Sequence, residues 1–150
     1  MYGYSFLEEC LTTPIITELQ NSIHYQKNPD GVEPLSFIFS DYYLCRKLTS
    51  IERIHTLTEI ATHFPLKITP NENYVIPHAI NMGCANYLTE TPYIFHNSKI
   101  NLNITLRSIR NGIPLRCMEI MSCGGFLLTN FQFRFSEAFH AGERLCLLRK

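Results

Sequence analysis

Residues 98–130 of this 150-residue chain read SKINLNITLRSIRNGIPLRCMEIMSCGGFLLTN, and this stretch decides the fold class. Its first part alternates apolar and polar side chains, with Ile100, Leu102 and Ile104 separated by asparagines. A period of two residues is typical of a β-strand. The residues that follow are polar and rich in arginine. The sequence therefore predicts a strand over residues 100–104 and then a loop.

A helix and a second strand are predicted after this loop. Pro114 suits the first helical position, because the N–H that proline lacks would have no helical partner there. Gly124 and Gly125 end the helix, which we expect over residues 114–123. The apolar run at residues 126–129 is typical of a buried parallel strand. Such a βαβ unit places the loop and the helix N-terminus at the carboxyl ends of the strands, where phosphate-bearing ligands bind.

The remainder of the chain also indicates helices that alternate with strands. We expect helices over residues 4–25 (the second piece beginning at Pro14), over 41–63 and from Pro92, a loop over 70–83, strands over 66–69, 84–87 and 145–148, and a helical turn over 135–139. The turn-rich residues 27–34 separate a helical segment with its linker, 1–34, from a domain over 35–150. The predicted fold class is α/β, a partial Rossmann-like parallel sheet with flanking helices.

The predicted helix over residues 41–63 carries one apolar stripe. Its members recur at steps of three and four residues: Leu44, Leu48, Ile51, Ile54, Leu57 and Ile60. This spacing places them on one side of the helix, as in helices that pack on a core. The polar residues between them, such as Arg53, are most simply solvated.

Composition and charge exclude several classes of protein. Hydrophobic residues make up 45% of the chain, and 13 basic residues balance 13 acidic ones. A net charge of zero provides no long-range attraction to nucleic acid or to an anionic membrane. No apolar run approaches the roughly 20 residues of a membrane span, and the start lacks a secretion signal, so we expect a cytoplasmic protein. The six cysteines and six histidines lack metal-ligand spacing, which predicts reduced thiols and no metal site.

The stretch around residues 92–132 resembles the donor-binding, carboxyl-terminal half of GT-B glycosyltransferases. The closer similarity is to the CgeB-like (spore-protein) branch of the group-1 superfamily. Four short sequence segments match the family in the same order: SKINLN at 98–103, GIPLR at 112–116, EIM at 119–121 and CGGFLLTN at 123–130. Weaker similarity extends over residues 37–143.

The resemblance implies the carboxyl-terminal half of a GT-B fold in truncated form. It also implies transfer of a sugar from a nucleoside-diphosphate donor to an unknown acceptor, with no cofactor besides the donor itself. The catalytic residues are unassigned, because the acceptor domain should carry the catalytic base. Two alternatives stay open: a non-catalytic nucleotide-sugar-binding module, and an inert fragment of a shortened gene. The short chain further predicts uncovered sheet surface, and hence self-association or a partner chain.

Glu119 is the leading candidate for a binding residue. In the family this position accepts hydrogen bonds from the donor's ribose, a task that suits a carboxylate because it accepts from two hydroxyls at once. From the residues alone, Glu119 forms a helix-surface ion pair with Arg116, one turn earlier. The matching segments on either side of Glu119 favour ribose binding. The family's first acid corresponds to Asn111, so this chain departs from the pattern there and offers an amide in place of a carboxylate to the donor sugar.

The other candidate donor-binding residues surround the predicted diphosphate. Arg116 lies near the start of its helix and Arg107 in the loop before it, where cations stabilise a departing diphosphate. Arg110, from the same loop, is more simply solvated. Gly112 lies at the helix entry and Asn130 just past the second strand, where Asn130 suits a turn equally well.

Overall fold

The computed structural model describes residues 10–70, 75–109, 112–130 and 145–148. The helical turn expected at 135–139 and the first part of the helix expected from residue 4 lie outside these ranges. In chain order the elements are α1 (Thr13–Ser22), α2 (Leu35–Phe37), a π-helical segment (Ile38–Leu44), α3 (Cys45–His63), β1 (Lys67–Ile68), β2 (Ile80–Asn81), α4 (Thr91–Asn97), β3 (Asn101–Asn103), α5 (Leu115–Ser122), β4 (Leu127–Asn130) and β5 (Leu145–Leu148).

The chain divides into two compact units. The first comprises residues 1–50 with 106–110, and the second comprises residues 51–105 with 111–150. The described strands all belong to the second unit, whereas the described elements of the first unit are helical. The expected domain boundary between residues 34 and 35 stays a prediction.

A three-stranded parallel sheet in the order β3-β4-β5 forms the centre of the second unit. Asn101 of β3 lies opposite Leu127 of β4, which in turn lies opposite Leu145 of β5. Helix α5 connects β3 with β4 and begins one residue later than predicted, just after Pro114. The α/β fold class is thereby confirmed, as are the parallel βαβ unit and the strand at 145–148.

The two glycines that end α5 have different roles. Gly124 has φ +75°, and its N–H lies 2.9 Å from the Met121 carbonyl oxygen, while the N–H of Gly125 donates to Ile120 at 3.0 Å. This pair of bonds closes a helix with a left-handed residue. A Cβ on Gly125 would lie only 2.5 Å from the carbonyl oxygen of Phe95. Glycine is therefore required there for the close approach of α4.

The core of the second unit lies between α5 and the sheet. Cys117 and Ile120 are buried on α5, three residues apart, and they pack with Leu127 of β4 and Leu145 of β5. Three partly buried side chains pack around this cluster: Phe95, Ile113 and Met121. The buried face of α5 fixes the helix on the sheet and so determines where its other side chains point.

The structure corrects two sequence predictions between β1 and α4. Residues 70–83, predicted as a loop, contain β2, which pairs in parallel with β1 through a 2.8 Å bond from Ile80 N–H to the Leu66 carbonyl. Residues 84–87, predicted as a strand, form a loop that leads into a turn. A strand of two residues is too short to show a period, so this pairing leaves no local signal in the sequence.

The helix predicted over residues 41–63 begins earlier and is not α-helical throughout. It starts with α2, passes through the π-helical segment and continues as α3. The π-helical segment buries Phe39, Ser40 and Asp41, and the Ser40 hydroxyl donates to Asp41 Oδ2 at 2.7 Å. The ring of Phe39 meets that of Tyr25 edge-on, 5.7 Å between centroids. A π-helix has wider turns than an α-helix, which a 3.6-residue period does not predict.

The apolar stripe of α3 is only partly buried. Leu48, Ile51 and Ile54 are exposed, whereas Cys45 and Thr49 are buried. The Thr49 hydroxyl donates to the Cys45 carbonyl at 2.7 Å, which satisfies it within the helix. The buried side of this helix is therefore set by tertiary packing rather than by its hydrophobic period.

Candidate functional site

Glu119, in the middle of α5, is held by two side chains. Arg116, one turn earlier, places Nη1 3.3 Å from Glu119 Oε2. Tyr87, 32 residues earlier in the chain, donates its hydroxyl to Glu119 Oε1. The Arg116 guanidinium also lies over the ring of Phe95, 5.4 Å from the centroid. We call these four residues, Tyr87, Phe95, Arg116 and Glu119, the Glu119 cluster.

Burial distinguishes Glu119 from an ordinary surface carboxylate. Its side chain is 20% exposed, and its Oε2 atom is buried with no hydrogen-bond partner among the described residues. The ion pair with Arg116, which the sequence predicted, supplies charge to Oε2 but no aligned hydrogen bond. An unsatisfied buried acceptor costs about 1–3 kcal/mol, so a hydroxyl donor that reached Oε2 would be bound favourably. The ribose-binding role of Glu119 stays a prediction.

A closed turn holds Tyr87 beside α5. The side-chain Oδ1 of Asn86 accepts the N–H groups of Leu88 at 3.0 Å and of Thr89 at 3.1 Å. Glu90 Oε2 accepts the N–H of Asn86 at 2.6 Å. Asparagine builds such turns because its short side chain substitutes for a backbone acceptor. The turn fixes the backbone on both sides of Tyr87.

The surroundings of Tyr87 keep its phenol protonated. The hydrogen bond to Glu119 raises the pKa of Tyr87, and desolvation and the negative charge of Glu119 act in the same direction. The positive charge of Arg116 opposes this rise without reversing it. Because the neutral phenol is a donor and the carboxylate only an acceptor, the direction of the hydrogen bond is fixed near neutral pH.

A pocket of about 730 Å³ adjoins the Glu119 cluster. Tyr87, Phe95 and Arg116 line it, together with residues of α3, α4, β3 and the segment around β1. The charged side chains in its described lining are Arg53, Lys67 and Arg116, and no carboxylate is among them. The pocket has the size of a small-molecule site, and its charge favours an anionic ligand.

Three asparagines at the strands form hydrogen bonds within the protein. Asn101 donates to a backbone carbonyl of α4 at 2.9 Å, and Asn103 donates to the Thr129 hydroxyl at 3.1 Å. Asn130 Oδ1 accepts the N–H of Thr105 at 2.8 Å. Asn130 therefore holds the chain just after β3, while its donor-binding role stays a prediction.

The predicted donor-binding residues that the structure describes do not all belong to one compact unit. Arg107 belongs to the first unit, where its N–H donates to the Thr49 hydroxyl at 3.1 Å. Asn111 and Arg110 lie outside the described residues. Four predicted residues belong to the second unit: Gly112, Arg116, Glu119 and Asn130. Of these, Arg116 and Glu119 are brought into contact, and Gly112 is exposed ahead of α5.

Sequence reasoning missed three residues of this site. Tyr87 has no local signal, because it meets Glu119 only in the folded chain. Lys67 lies in β1 and lines the pocket, although it is simply a polar residue of a short strand in the sequence. Arg53, expected to be solvated, instead donates through Nε and Nη2 to the Ile104 carbonyl at 3.0 and 2.6 Å.

Within the described ranges, no group of three or more His, Cys, Asp or Glu side chains is arranged to hold a metal ion. The helices described here include none that is both long and apolar enough to cross a membrane.

Comparison with known proteins identifies the family. The model of the glycosyl transferase-like family matches residues 54–150, which is most of the chain and includes the whole Glu119 cluster. The chain therefore belongs to the glycosyl transferase-like family, and this membership supports a function of glycosyltransferase type. No curated protein and no solved structure matches the chain. The narrower resemblance to the CgeB-like branch stays a prediction.

Proposed function

We propose that this chain binds a nucleoside-diphosphate sugar as the donor-binding part of a glycosyltransferase. The observation that carries the proposal is the pocket beside the Glu119 cluster, whose described lining contains three cations and no carboxylate. A nucleoside diphosphate carries several negative charges on its phosphates and a neutral diol on the adjoining ribose. The site offers a complementary arrangement, with cations in the pocket lining and a carboxylate in contact with two of the lining residues.

The three cations suit a diphosphate in different ways. Arg53 keeps its charge in the pocket while its two hydrogen bonds to the Ile104 carbonyl fix its position. Arg116 lies over Phe95 and is half exposed, so its guanidinium has free donors for phosphate oxygens. Lys67 adds a point charge from β1. Such groups both hold a diphosphate and stabilise it as a leaving group, which is what glycosyl transfer without a metal requires.

Glu119 suits the ribose. Tyr87 and Arg116 both line the pocket and both contact this carboxylate, so Glu119 lies directly beside two residues of the lining. Its buried Oε2 has no hydrogen-bond donor among the described residues. A ribose hydroxyl supplies such a donor, and a charged hydrogen bond of this kind contributes about 1.5–3 kcal/mol.

The test is calorimetric titration of ADP, CDP, GDP and UDP into the wild-type chain and the Glu119→Ala variant. We expect at least one of them to bind the wild type, and Glu119→Ala to bind it about ten- to a hundredfold more weakly. Glu59→Ala is the matched control, because Glu59 Oε1 also lies 3.3 Å from a side chain one turn along its helix, that of His63, but Glu59 is 68% exposed and lies on α3 rather than α5. Equal affinity of wild type and Glu119→Ala would contradict ribose binding and leave Glu119 with only its contacts to Arg116 and Tyr87.

A further inference from the structure

We propose that Tyr87 is a positioning residue for ribose recognition: its hydroxyl orients the Glu119 carboxylate so that Oε2 is presented to the sugar diol. This inference rests on the proposed function and deepens it. Tyr87 belongs to none of the four matching sequence segments that suggested the donor site, and its contact with Glu119 forms only in the folded chain.

The geometry divides the two carboxylate oxygens between two tasks. Oε1 accepts from the Tyr87 hydroxyl, and Oε2 lies beside Arg116 without a hydrogen bond from any described residue. The last torsion of a glutamate side chain is broad, so a carboxylate without such a bond samples many orientations. The bond from Tyr87 removes that freedom, because the turn held by Asn86 fixes the tyrosine independently of α5.

Arg116 links the two ends of the ligand. It lines the pocket and also lies 3.3 Å from Glu119 Oε2. A diphosphate in the pocket attracts the half-exposed guanidinium, and as Arg116 turns toward the phosphates, Oε2 becomes accessible to a ribose hydroxyl. During this movement the bond from Tyr87 keeps the carboxylate in place. The ribose diol then binds to a carboxylate that is already oriented, which reduces the entropic cost of binding.

The first experiment compares ligands with and without the diol. Each of ADP, CDP, GDP and UDP is titrated beside its 2′,3′-dideoxy form into the wild type and into Tyr87→Phe. Tyr87 is half exposed, so Phe keeps the ring and the fold while it removes the hydroxyl. We expect Tyr87→Phe to weaken binding of the ribonucleotide about three- to tenfold and to leave binding of the dideoxy form unchanged. Tyr93→Phe, at an exposed ring on α4, is the control and should change neither.

The outcomes separate this inference from the proposed function. Loss of affinity for the ribonucleotide alone supports positioning of Glu119 by Tyr87. Equal loss for both ligands indicates a merely structural tyrosine, and no loss indicates no role; either overturns the inference while nucleotide binding stands. Failure of every nucleotide to bind the wild type overturns the proposed function and this inference with it.

A second measurement tests the contact without any ligand. The Tyr87 phenol is titrated by NMR of ring-labelled tyrosine, with the signal assigned by its absence in Tyr87→Phe. Glu119→Gln removes the negative charge and weakens the hydrogen bond, so the pKa of Tyr87 should fall toward its ordinary value. An unchanged titration would show that the two side chains do not interact and would overturn the positioning role.

Discussion

The β1–β2 pair and the β3–β4 pair are both parallel and lie in the same compact unit, but they are packed differently. None of the four residues of β1 and β2 is buried, and Ile80 is half exposed. The β3–β4 pair buries Asn101, Leu127 and Thr129, and α5 covers it with Ile120. Parallel strands are stable when helices cover them, and α5 supplies that cover for the sheet that contains the β3–β4 pair.

From this difference we expect the β3–β4 part of the second unit to be the more rigid part and the β1–β2 part to open more easily. Segments with few buried apolar contacts unfold locally at lower cost than a packed core does. The core cluster around α5 therefore gives Glu119 and Arg116 a firm support, whereas β1 contributes Lys67 to the pocket from a less tightly packed region. Tyr87 follows β2 in the chain and contacts α5, so it joins the two regions.

The largest expected effect contrasts one isoleucine from each region. Ile120→Ala should lower the free energy of unfolding by about 2–5 kcal/mol, because it opens a cavity between α5 and the sheet. Ile80→Ala should lower it by less than about 1 kcal/mol, since that side chain is 50% exposed while Ile120 is 1% exposed. Urea denaturation of both variants measures the contrast. Similar losses would mean that the β1–β2 region is as well packed as the core.

An intermediate effect is expected at two glycines. Gly125→Ala should cost about 1–3 kcal/mol, because the new Cβ would lie 2.5 Å from the Phe95 carbonyl oxygen and 2.8 Å from the Asn101 amide nitrogen. Gly83→Asn, just after β2, introduces a larger side chain, but its Cβ would have no atom within 4 Å. Its φ of +77° is one that asparagine adopts readily, so the cost should stay below about 1 kcal/mol. Thermal unfolding measures the loss of stability in both variants. A larger loss for Gly83→Asn than for Gly125→Ala would contradict the tighter packing around α5.

The smallest effect concerns the link between the regions and depends on pH. The folded protein raises the pKa of Tyr87, so above about pH 10 the folded state holds more protons than the unfolded state. The stability contributed by the bond to Glu119 is therefore fully present below that pH and is lost as pH rises through the folded-state pKa. As the pH rises above about 10, Tyr87→Phe should show a shallower loss of stability than the wild type, measured by urea denaturation. The stability of Tyr93→Phe should depend on pH as that of the wild type does. If stability falls with pH equally steeply in all three proteins, the hydrogen bond between Tyr87 and Glu119 does not contribute to it.

The β3–α5–β4 unit was predictable because its signals are local. Alternation marks β3, Pro114 marks the start of α5, and Gly124 with Gly125 marks its end. The spacing of Arg116 and Glu119 likewise predicts an ion pair from helix geometry alone. Each of these signals acts within a few residues, so the sequence reveals it without knowledge of the rest of the fold.

The rest was not predictable because it depends on contacts between distant residues. The pairing of β1 with β2 rests on bonds across more than a dozen residues and leaves no period in two-residue strands. The apolar spacing of α3 predicts a packed stripe, but packing leaves Leu48, Ile51 and Ile54 exposed. A hydrophobic period shows which side of a helix is apolar, and only the folded chain shows whether that side is covered.

The sequence by itself determined the α/β class, the βαβ unit, the family and the pairing of Glu119 with Arg116. Only the tertiary structure decided that Tyr87 reaches Glu119, that Oε2 is buried, and that Arg53 and Lys67 line the same pocket as Arg116. Backbone propensity and contacts between residues one helical turn apart act over a short range, so neighbouring residues in the sequence reveal them. Tyr87 and Glu119 are 32 residues apart, and they meet only in the folded chain. The Oε2 atom of Glu119 is buried only because the packed chain excludes water from it.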